Sequence, residues 1–409
     1  MIDVVVEVAA AAVVTVGANF FCIIDLIILL ISGYLYENNW YKQNKIMGDY
    51  LKLFRNNEEF NSFKEKQLIS HGHLIDDIDF KSIFYIKYTA TKKLTNNFDN
   101  CFNTPVIDHT FENGVGYIFF GEPVTSIVKT YTFSSNDLTS IELPNSLVSI
   151  SSYCFDYARN LESVKLSNDI TSIGQRTFYY AEKLKRMNSD VDGVINLPTN
   201  LASVGLSSFC GAMSSGDTVV TVNMPNSLKT INNGSFSYVK KVTEWVIPNS
   251  VTFIGPASFA QCLNVTSLTI SSSIDTIKEQ TFRDYTSLET VIIPEGVKTI
   301  EDSAFAQKMW EQHGPSKITK VVLPSTIENI GRWAFNDENY YKPVEFDSSV
   351  VICYAETPPS LYASSREYKT LPSKCKVYVP DNSVSLYKNK GGGWNDYKNV
   401  IYPISELPN

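Results

Sequence analysis

The stretch from Leu288 to Phe305 reads L-E-T-V-I-I-P-E-G-V-K-T-I-E-D-S-A-F, and the same pattern returns along most of the chain. Its first part alternates apolar and variable positions, which predicts a half-buried strand. Because side chains alternate across a strand, Val291 and Ile293 should face inward and Ile292 outward. Pro294 has no N–H to donate to a strand ladder, so it should end this strand.

The phenylalanine that closes this stretch recurs at intervals of 22, 23, 31, 27, 23, 23, 23 and 30 residues. A period in this range is typical of a solenoid, in which each repeat is too small to bury its own apolar face and neighbours share one core. The sequence therefore predicts a repeat solenoid of about eight repeats, each with one strand on a common parallel β-sheet. The phenylalanines expected to be buried between coils are Phe133, Phe155, Phe178, Phe209, Phe236, Phe259, Phe282, Phe305 and Phe335.

The second half of the repeat predicts a further short extended stretch and a tight turn. In the copy quoted above, the extended stretch centres on Val297 and Ile300, and the turn carries a small residue before phenylalanine so that it can lie close to its neighbour. Three wide gaps between phenylalanines predict insertions, which in repeat proteins map to loops. We expect them to leave the solenoid near Met187–Asp192, Gly211–Asp217 and Trp310–Ser316.

The shared frame resembles a known repeat family. Its form, L-x-x-I-x-[LI]-P-x-S-[LV]-x-x-I-x-x-x-[ASCT]-F, fits residues 138–155 and 242–259 and is similar to BspA-like leucine-rich repeats of surface proteins from Bacteroidetes and some protists, or of phages of these bacteria. The resemblance implies a leucine-rich-repeat array with a lead-in unit and a C-terminal β-rich closing unit, and the first 80 residues, an apolar and helical segment, fall outside it. The expected division of the chain is 1–36 apolar anchor or docking segment, 37–80 helical linker, 81–123 β lead-in unit, 124–340 repeats and 341–409 capping unit.

The amino-terminal segment, residues 1–36, is mostly apolar and long enough to be a transmembrane candidate. Asp25 lies in its middle and would be costly in lipid. Asp3 and Glu7 stand where a secretory signal needs Lys or Arg. Two interpretations therefore stay open: a membrane anchor, or a segment docked into a virion assembly or a homo-oligomer. Helical spacing of apolar residues predicts a helix over 41–68.

Composition and motifs favour a non-enzymatic protein without a cofactor. The net charge of −8 argues against a nucleic-acid partner, which would need a basic stripe. There is no phosphate-binding loop, no G-x-G-x-x-G and no G-x-S-x-G. His71 and His73, with two aspartates after them, fit a polar loop better than a metal site. None of the seven cysteines forms a C-x-x-C, and Cys353 and Cys375 could be a disulfide or two buried thiols.

The outward face of the predicted sheet is the candidate binding surface. Its central row changes from charged and amide side chains to an apolar strip in the order Glu142, Lys165, Asn196, Asn223, Val246, Thr269, Ile292, Val322. β-Branched residues favour strands whatever they face, so strand propensity alone is one explanation. The other is that the strip contacts a partner or another subunit. The candidate partner-binding residues are Glu244, Val246, Thr269, Thr290, Ile292, Lys320 and Val322.

These observations predict a recognition or adhesion protein that presents the repeat surface to a protein or glycan on a cell surface. Its expected location is the cell surface, the extracellular space or a virion, with membrane anchoring as an option. The alternative is a structural component of a phage virion appendage, such as a fibre, docked by residues 1–36.

Overall fold

A computed structural model describes residues 84–307, 317–336, 349–362, 370–372 and 375–408. Nearly all of them belong to one compact unit, residues 85–119 and 123–409. The predicted anchor or docking segment 1–36, the predicted helix over 41–68 and the predicted insertion Trp310–Ser316 lie outside the described residues.

The described chain is built mainly from short strands, with one α-helix, α1 (Val384–Asn389), near its end. Short 3-10 helices occupy Asp381–Ser383, Gly392–Asp396, Lys398–Val400 and Ile404–Glu406. The strands in chain order are β1 (Phe84–Ala90), β2 (Val106–Glu112), β3 (Val115–Phe120), β4 (Ser126–Ile127), β5 (Leu138–Glu142), β6 (Ser149–Ile150), β7 (Ser163–Lys165), β8 (Ser172–Ile173), β9 (Arg186–Met187), β10 (Val194–Asn196), β11 (Ser203–Val204), β12 (Thr221–Asn223), β13 (Thr230–Ile231), β14 (Glu244–Val246), β15 (Phe253–Ile254), β16 (Ser267–Thr269), β17 (Thr276–Ile277), β18 (Thr290–Ile292), β19 (Thr299–Ile300), β20 (Lys320–Leu323), β21 (Asn329–Ile330), β22 (Val350–Cys353), β23 (Ser360–Leu361), β24 (Lys376–Val379) and β25 (Ile401–Pro403).

The longer strands stack in parallel and confirm the predicted solenoid, which has about ten turns. They form three hydrogen-bonded runs, β5-β7-β9-β10-β12, β14-β16 and β18-β20-β22-β24-β25. A single parallel bridge between Val220, just before β12, and Val242, just before β14, connects the first run to the second. As predicted, Val291 and Ile293 are buried and Ile292 is exposed, so the period-two pattern assigns the two faces correctly.

A second row of two-residue strands follows the first within each coil, as the sequence predicts. Its parallel sheets are β4-β6, β8-β11-β13-β15 and β17-β19-β21-β23. Each of these strands in the described chain ends in a buried Ile, Val or Leu, as in the pair Ile300 and Ile330. Pro294 stands between the two rows, where its carbonyl accepts a hydrogen bond from Val297 N–H. The proline therefore ends the first strand and opens a turn.

The nine repeated phenylalanines form a continuous buried column. None is more than 3% exposed, and the ring centroids of successive members lie 5.0–5.6 Å apart. The small residues before them are buried as well, for example Cys154, Ser208 and Ala304. The predicted packing of phenylalanine between closely spaced turns is thereby confirmed.

The phenylalanine turns also carry a hydrogen-bond ladder of their own. Residues two places before and two places after a phenylalanine take left-handed backbone conformations, with φ of 63° at Tyr153 and 55° at Tyr157 around Phe155. Their N–H groups, and that of Phe155, donate to carbonyls of the next coil at 2.8–2.9 Å. The same pattern recurs around Phe178, Phe209, Phe236 and Phe259. The turns around these phenylalanines therefore bond each of their coils to the next, in addition to the strand pairs of the two rows.

Different elements close the two ends of the described solenoid. At the amino-terminal end, β1 pairs antiparallel with β5, and β3 and β2 extend that sheet. At the carboxyl-terminal end, β22, β24 and β25 continue the parallel sheet, and buried polar groups hold the cap in place. Trp394 Nε1–H donates to the carbonyl of Pro359 at 2.8 Å, and Tyr387 OH donates to that of Ala355 at 2.7 Å. This is the predicted β-rich closing unit.

Two of the predicted insertions differ in detail from expectation. The chain forms a loop near the predicted stretch Met187–Asp192, but Met187 itself belongs to the sheet, because Arg186–Met187 forms β9, which pairs with β7 and β10. The Met187 side chain is fully buried and fills an inward position. In Gly211–Asp217, the first residues stay in the turn with Ala212 and Met213 buried. Cys353 and Cys375, left open by the sequence, are two buried free thiols.

Candidate partner-binding surface

Two neighbouring strand pairs bring the seven predicted site residues onto one face. In β14 and β16, Val246 lies opposite Thr269. In β18 and β20, Ile292 lies opposite Val322 and Thr290 opposite Lys320. Partners in register on a parallel sheet point to the same side, so the members of each strand pair share one face.

The apolar part of this face, which we call the outward strip, consists of Val246, Thr269, Ile292 and Val322. Val246 is 51% exposed and Ile292 is 60% exposed, while Val322 is half-buried. The neighbours of Val246 and Ile292 along their strands are buried, including Trp245, whose ring lies 4.9 Å from that of Phe259. The strip is therefore an exposed aliphatic surface on a rigid support.

A polar row runs beside the outward strip, formed by Glu244, Ser267, Thr290 and Lys320. Ser267 Oγ donates a hydrogen bond of 2.9 Å to Glu244 Oε1, which orients the carboxylate. Ser267 was not among the predicted site residues, although its register opposite Glu244 follows from the repeat. The row ends in a negative charge at Glu244 and a positive charge at Lys320. A partner that covers the strip would meet both charges.

The apolar row continues past Val322 into the closing unit. Ile352 lies opposite Val322, and Tyr378 lies opposite Ile352. Both side chains are almost fully buried, at 3% and 4% exposed. The exposed strip therefore ends near Val322. The signal that could have identified this continuation is the apolar run Val350–Cys353, which is in phase with the earlier strands.

The earlier coils show the same face with polar side chains that satisfy one another. Lys87 Nζ lies 3.3 Å from Glu142 Oε1, and Glu142 lies opposite Lys165. The amide of Asn223 donates to Asn196 Oδ1 at 2.7 Å. Parallel strands of this solenoid thus accommodate charges and amides at the position that Val246 and Ile292 occupy later.

Other chemistry on the described chain is limited. In the ranges that the structure covers, no three His, Cys, Asp or Glu side chains are arranged to hold a metal ion. Burial raises the pKa of the Cys210 thiol to about 11 and that of Cys262 to about 12, so both thiols are protonated at neutral pH. Neither therefore presents a nucleophile.

The repeat geometry corresponds to a defined family. A family model described as the BspA type leucine-rich repeat region, with six copies, matches residues 116–215, 213–313 and 312–376. The chain belongs to the BspA-type leucine-rich-repeat family. No curated protein sequence matches this BspA-type protein. Of its described helices, none combines the length and the apolar character needed to cross a membrane.

Several solved structures are similar to this BspA-type protein. A leucine-rich repeat protein from Bacteroides ovatus shares 17% identity over 66% of this chain and 61% of its own, with a TM-score of 0.39. The leucine-rich repeat protein of T. pallidum shares 18% identity over 50% and 85% of the two chains, with a TM-score of 0.34. The pneumococcal vaccine antigen PcpA shares 16% identity over 69% and 82%, also at 0.34. The chain thus spans about three fifths of the Bacteroides protein's length.

Proposed function

We propose that this protein is a recognition or adhesion protein that binds a protein partner through the outward strip. The observation that carries the proposal is the exposure of Val246 and Ile292 on strands whose adjacent inward residues, Trp245 and Val291, are buried. An exposed apolar centre beside polar side chains is how protein interfaces are usually built. Thr290 and Lys320 would supply part of the polar rim, with Glu244 at the opposite end.

Strand propensity alone does not account for the strip. The same outward position carries Glu142, Lys165 and Asn223 in earlier coils, so the fold does not require an aliphatic residue there. The strip offers methyl groups, and the polar row beside it offers one charge of each sign. This chemistry favours a protein surface over a glycan, since sugars are bound through dense hydrogen bonding.

The site of action that suits this role is the cell surface, the extracellular space or a virion. Residues 1–36 would hold the protein there, either as a membrane anchor or as a docking segment. If carbonate washing of membranes releases the intact protein, the membrane-anchor interpretation is wrong.

The test places a charge at the centre of the strip. In Ile292→Lys the side chain faces outward, so the fold should keep its melting temperature. Binding to immobilised extracellular proteins, or to a second copy of the chain, should weaken by about 1–3 kcal/mol, roughly 5- to 150-fold, as for a central interface residue. Biolayer interferometry on a panel of such proteins measures this change.

The matched control is Thr221→Lys, which adds the same charge to the same face three coils earlier, at an exposed position. It should leave binding unchanged. Equal binding by the wild type and by a normally melting Ile292→Lys would place the site elsewhere, first of all on the inserted loops at Gly211–Asp217 and Trp310–Ser316.

A further inference from the structure

Five tyrosines crowd together on the turns of three successive coils, on the ridge that carries the phenylalanine column. Tyr131 and Tyr153 have ring centroids 5.2 Å apart. Tyr157 stacks on Tyr180 at 5.5 Å and 14°, and Tyr179 stands edge-on to both, at 5.3 and 4.7 Å. We call this group the tyrosine ridge. It lies on coils that precede those of the outward strip.

Four of these tyrosines sit where the backbone disfavours them. Tyr131, Tyr153, Tyr157 and Tyr180 have φ between 52° and 63°, a region that is unusual for bulky residues. Equivalent positions in later coils include small residues, namely Ser207, Gly211, Gly234 and Ala257, beside the aromatic Tyr238 and Trp333.

Burial does not compensate for this placement, because Tyr131 is 50% exposed and Tyr157 is 40% exposed. The turn therefore requires a left-handed residue but not an aromatic one. Strain kept at rings that stay this exposed is a reason to look for function.

Two arginines are fixed among the rings. The guanidinium carbon of Arg176 lies 3.9 Å from the centroid of Tyr179, and its nitrogens donate to Asp156 at 3.3 and 3.4 Å. The guanidinium carbon of Arg159 lies 5.2 and 5.6 Å from the centroids of Tyr157 and Tyr180, and Arg159 forms an ion pair with Glu182. Each positive charge thus has its own carboxylate, and the ridge is electrically balanced.

We propose that the tyrosine ridge is a binding site for a neutral glycan chain. Exposed tyrosine faces present flat apolar surface on which the C–H faces of pyranose rings can pack. Phenol, guanidinium and carboxylate groups beside them supply both donors and acceptors for sugar hydroxyls. The charge balance gives no net attraction for phosphates or uronates, so a neutral sugar fits best. The rings repeat along the stacking axis at about one per coil, which suits a polymer.

This site is separate from the outward strip in position and in ligand chemistry, and it goes beyond the proposed function. Its test is affinity electrophoresis of the full chain in native gels that contain galactomannan, xyloglucan, mannan or dextran, with heparin and polygalacturonate as charged comparisons. We expect at least one neutral polysaccharide to retard the wild-type protein. The double variant Tyr131→Gly/Tyr157→Gly should lose at least tenfold in apparent affinity.

Glycine is chosen because it accepts positive φ, so the variant should fold and melt near the wild type. The control is Tyr238→Gly, at the same place relative to Phe236, with φ of 61° and 37% exposed. It should leave retardation unchanged. Arg159→Gln gives a second variant that keeps all five rings, and it should weaken retardation severalfold.

Four results would overturn the proposal: no retardation by any of the neutral polysaccharides, retardation by heparin or polygalacturonate alone, full retardation of the double glycine variant, or equal loss with Tyr238→Gly. Ile292→Lys serves as an internal reference and should be retarded like the wild type. Its behaviour keeps a failure of the glycan site distinct from a failure of the outward strip.

Discussion

The rings of Phe155 and Phe178 stack face to face, with centroids 5.0 Å apart and planes inclined by only 4°. Each coil contributes one such ring, and the coils are bonded to one another by ladders on the strands and on the turns. The backbone on either side of a ring is therefore held at a set spacing. A gap in the column cannot close by local collapse, and this makes the phenylalanines the most sensitive core positions.

Phe282→Ala tests this sensitivity. Phe282 is fully buried between Phe259 and Phe305, whose centroids lie 5.6 and 5.2 Å away. Truncation should lower the free energy of unfolding by about 3–5 kcal/mol, as for large core residues. Reversible urea denaturation measures the change. The control, Phe253→Ala, removes an outward ring that is 41% exposed and should cost less than about 1 kcal/mol. Similar losses in the two variants would show that Phe282 is not a core residue.

Ala257→Gly should stabilise the protein, against the usual direction of such a change. Ala257 has φ of 53°, so replacing it with glycine should relieve about 1 kcal/mol of left-handed strain. Part of this gain is lost because glycine has more conformational freedom in the unfolded chain. We expect a net gain of about 0.5 kcal/mol. Ala202→Gly, at a half-buried position outside the left-handed set, should lose about 0.5–1 kcal/mol. If both variants shift the urea midpoint in the same direction, the left-handed conformation assigned to Ala257 would be contradicted.

The sequence predicted much of this core, and its failures have physical causes. The alternation around Val291 and the recurrence of phenylalanine follow directly from which face is buried. The left-handed conformation of Tyr157 could not be predicted, because aromatic residues ordinarily favour extended backbone. Met187 was missed because a two-residue strand offers no periodicity. The outward direction of the Ile292 side chain was predictable from the alternation, whereas binding at that position depends on a partner whose identity is not contained in the sequence.

A histidine in the amino-terminal sheet of β1, β2 and β3 should make the stability of the protein depend on pH. His109 Nε2 lies 2.7 Å from Tyr88 OH, and burial, with Lys93 nearby, lowers the pKa of His109 to about 4. The unfolded state, with a pKa near 6.5, then binds more protons between pH 6.5 and 4, so stability must fall as the pH drops through this window. Because the ring is only half-buried, we expect a loss of about 1 kcal/mol between pH 7.5 and 5, after allowance for solvent screening.

Chemical denaturation at pH 7.5 and 5 measures this loss. The comparison variant is His109→Gln, which does not titrate in this range and should remove about 1 kcal/mol of the pH dependence. A pH dependence that is identical in the two proteins would mean that His109 titrates normally in the folded state.

Thiol titration tests the state of the cysteines. Cys101, Cys154, Cys210, Cys262, Cys353 and Cys375 are buried and free in the described chain. None of these six should react with an aromatic disulfide reagent in the native protein, so at most the thiol of Cys22 is detected. After denaturation without reductant, all 7 cysteines of the chain should react. Detection of five would indicate a disulfide, with Cys353 and Cys375 as the first pair to examine.

The turn ladder and the two strand rows have a mechanical consequence. Their hydrogen bonds join one coil to the next and run along the stacking axis, so a pull between the two ends of the solenoid is carried by all coil-to-coil junctions in series, and the weakest junction should part first. A coil of 23 residues, once detached, extends to about 80 Å at roughly 3.5 Å per residue. Under tension, such a protein should lengthen coil by coil instead of failing in one step, and each detached coil limits the force that the remaining coils carry.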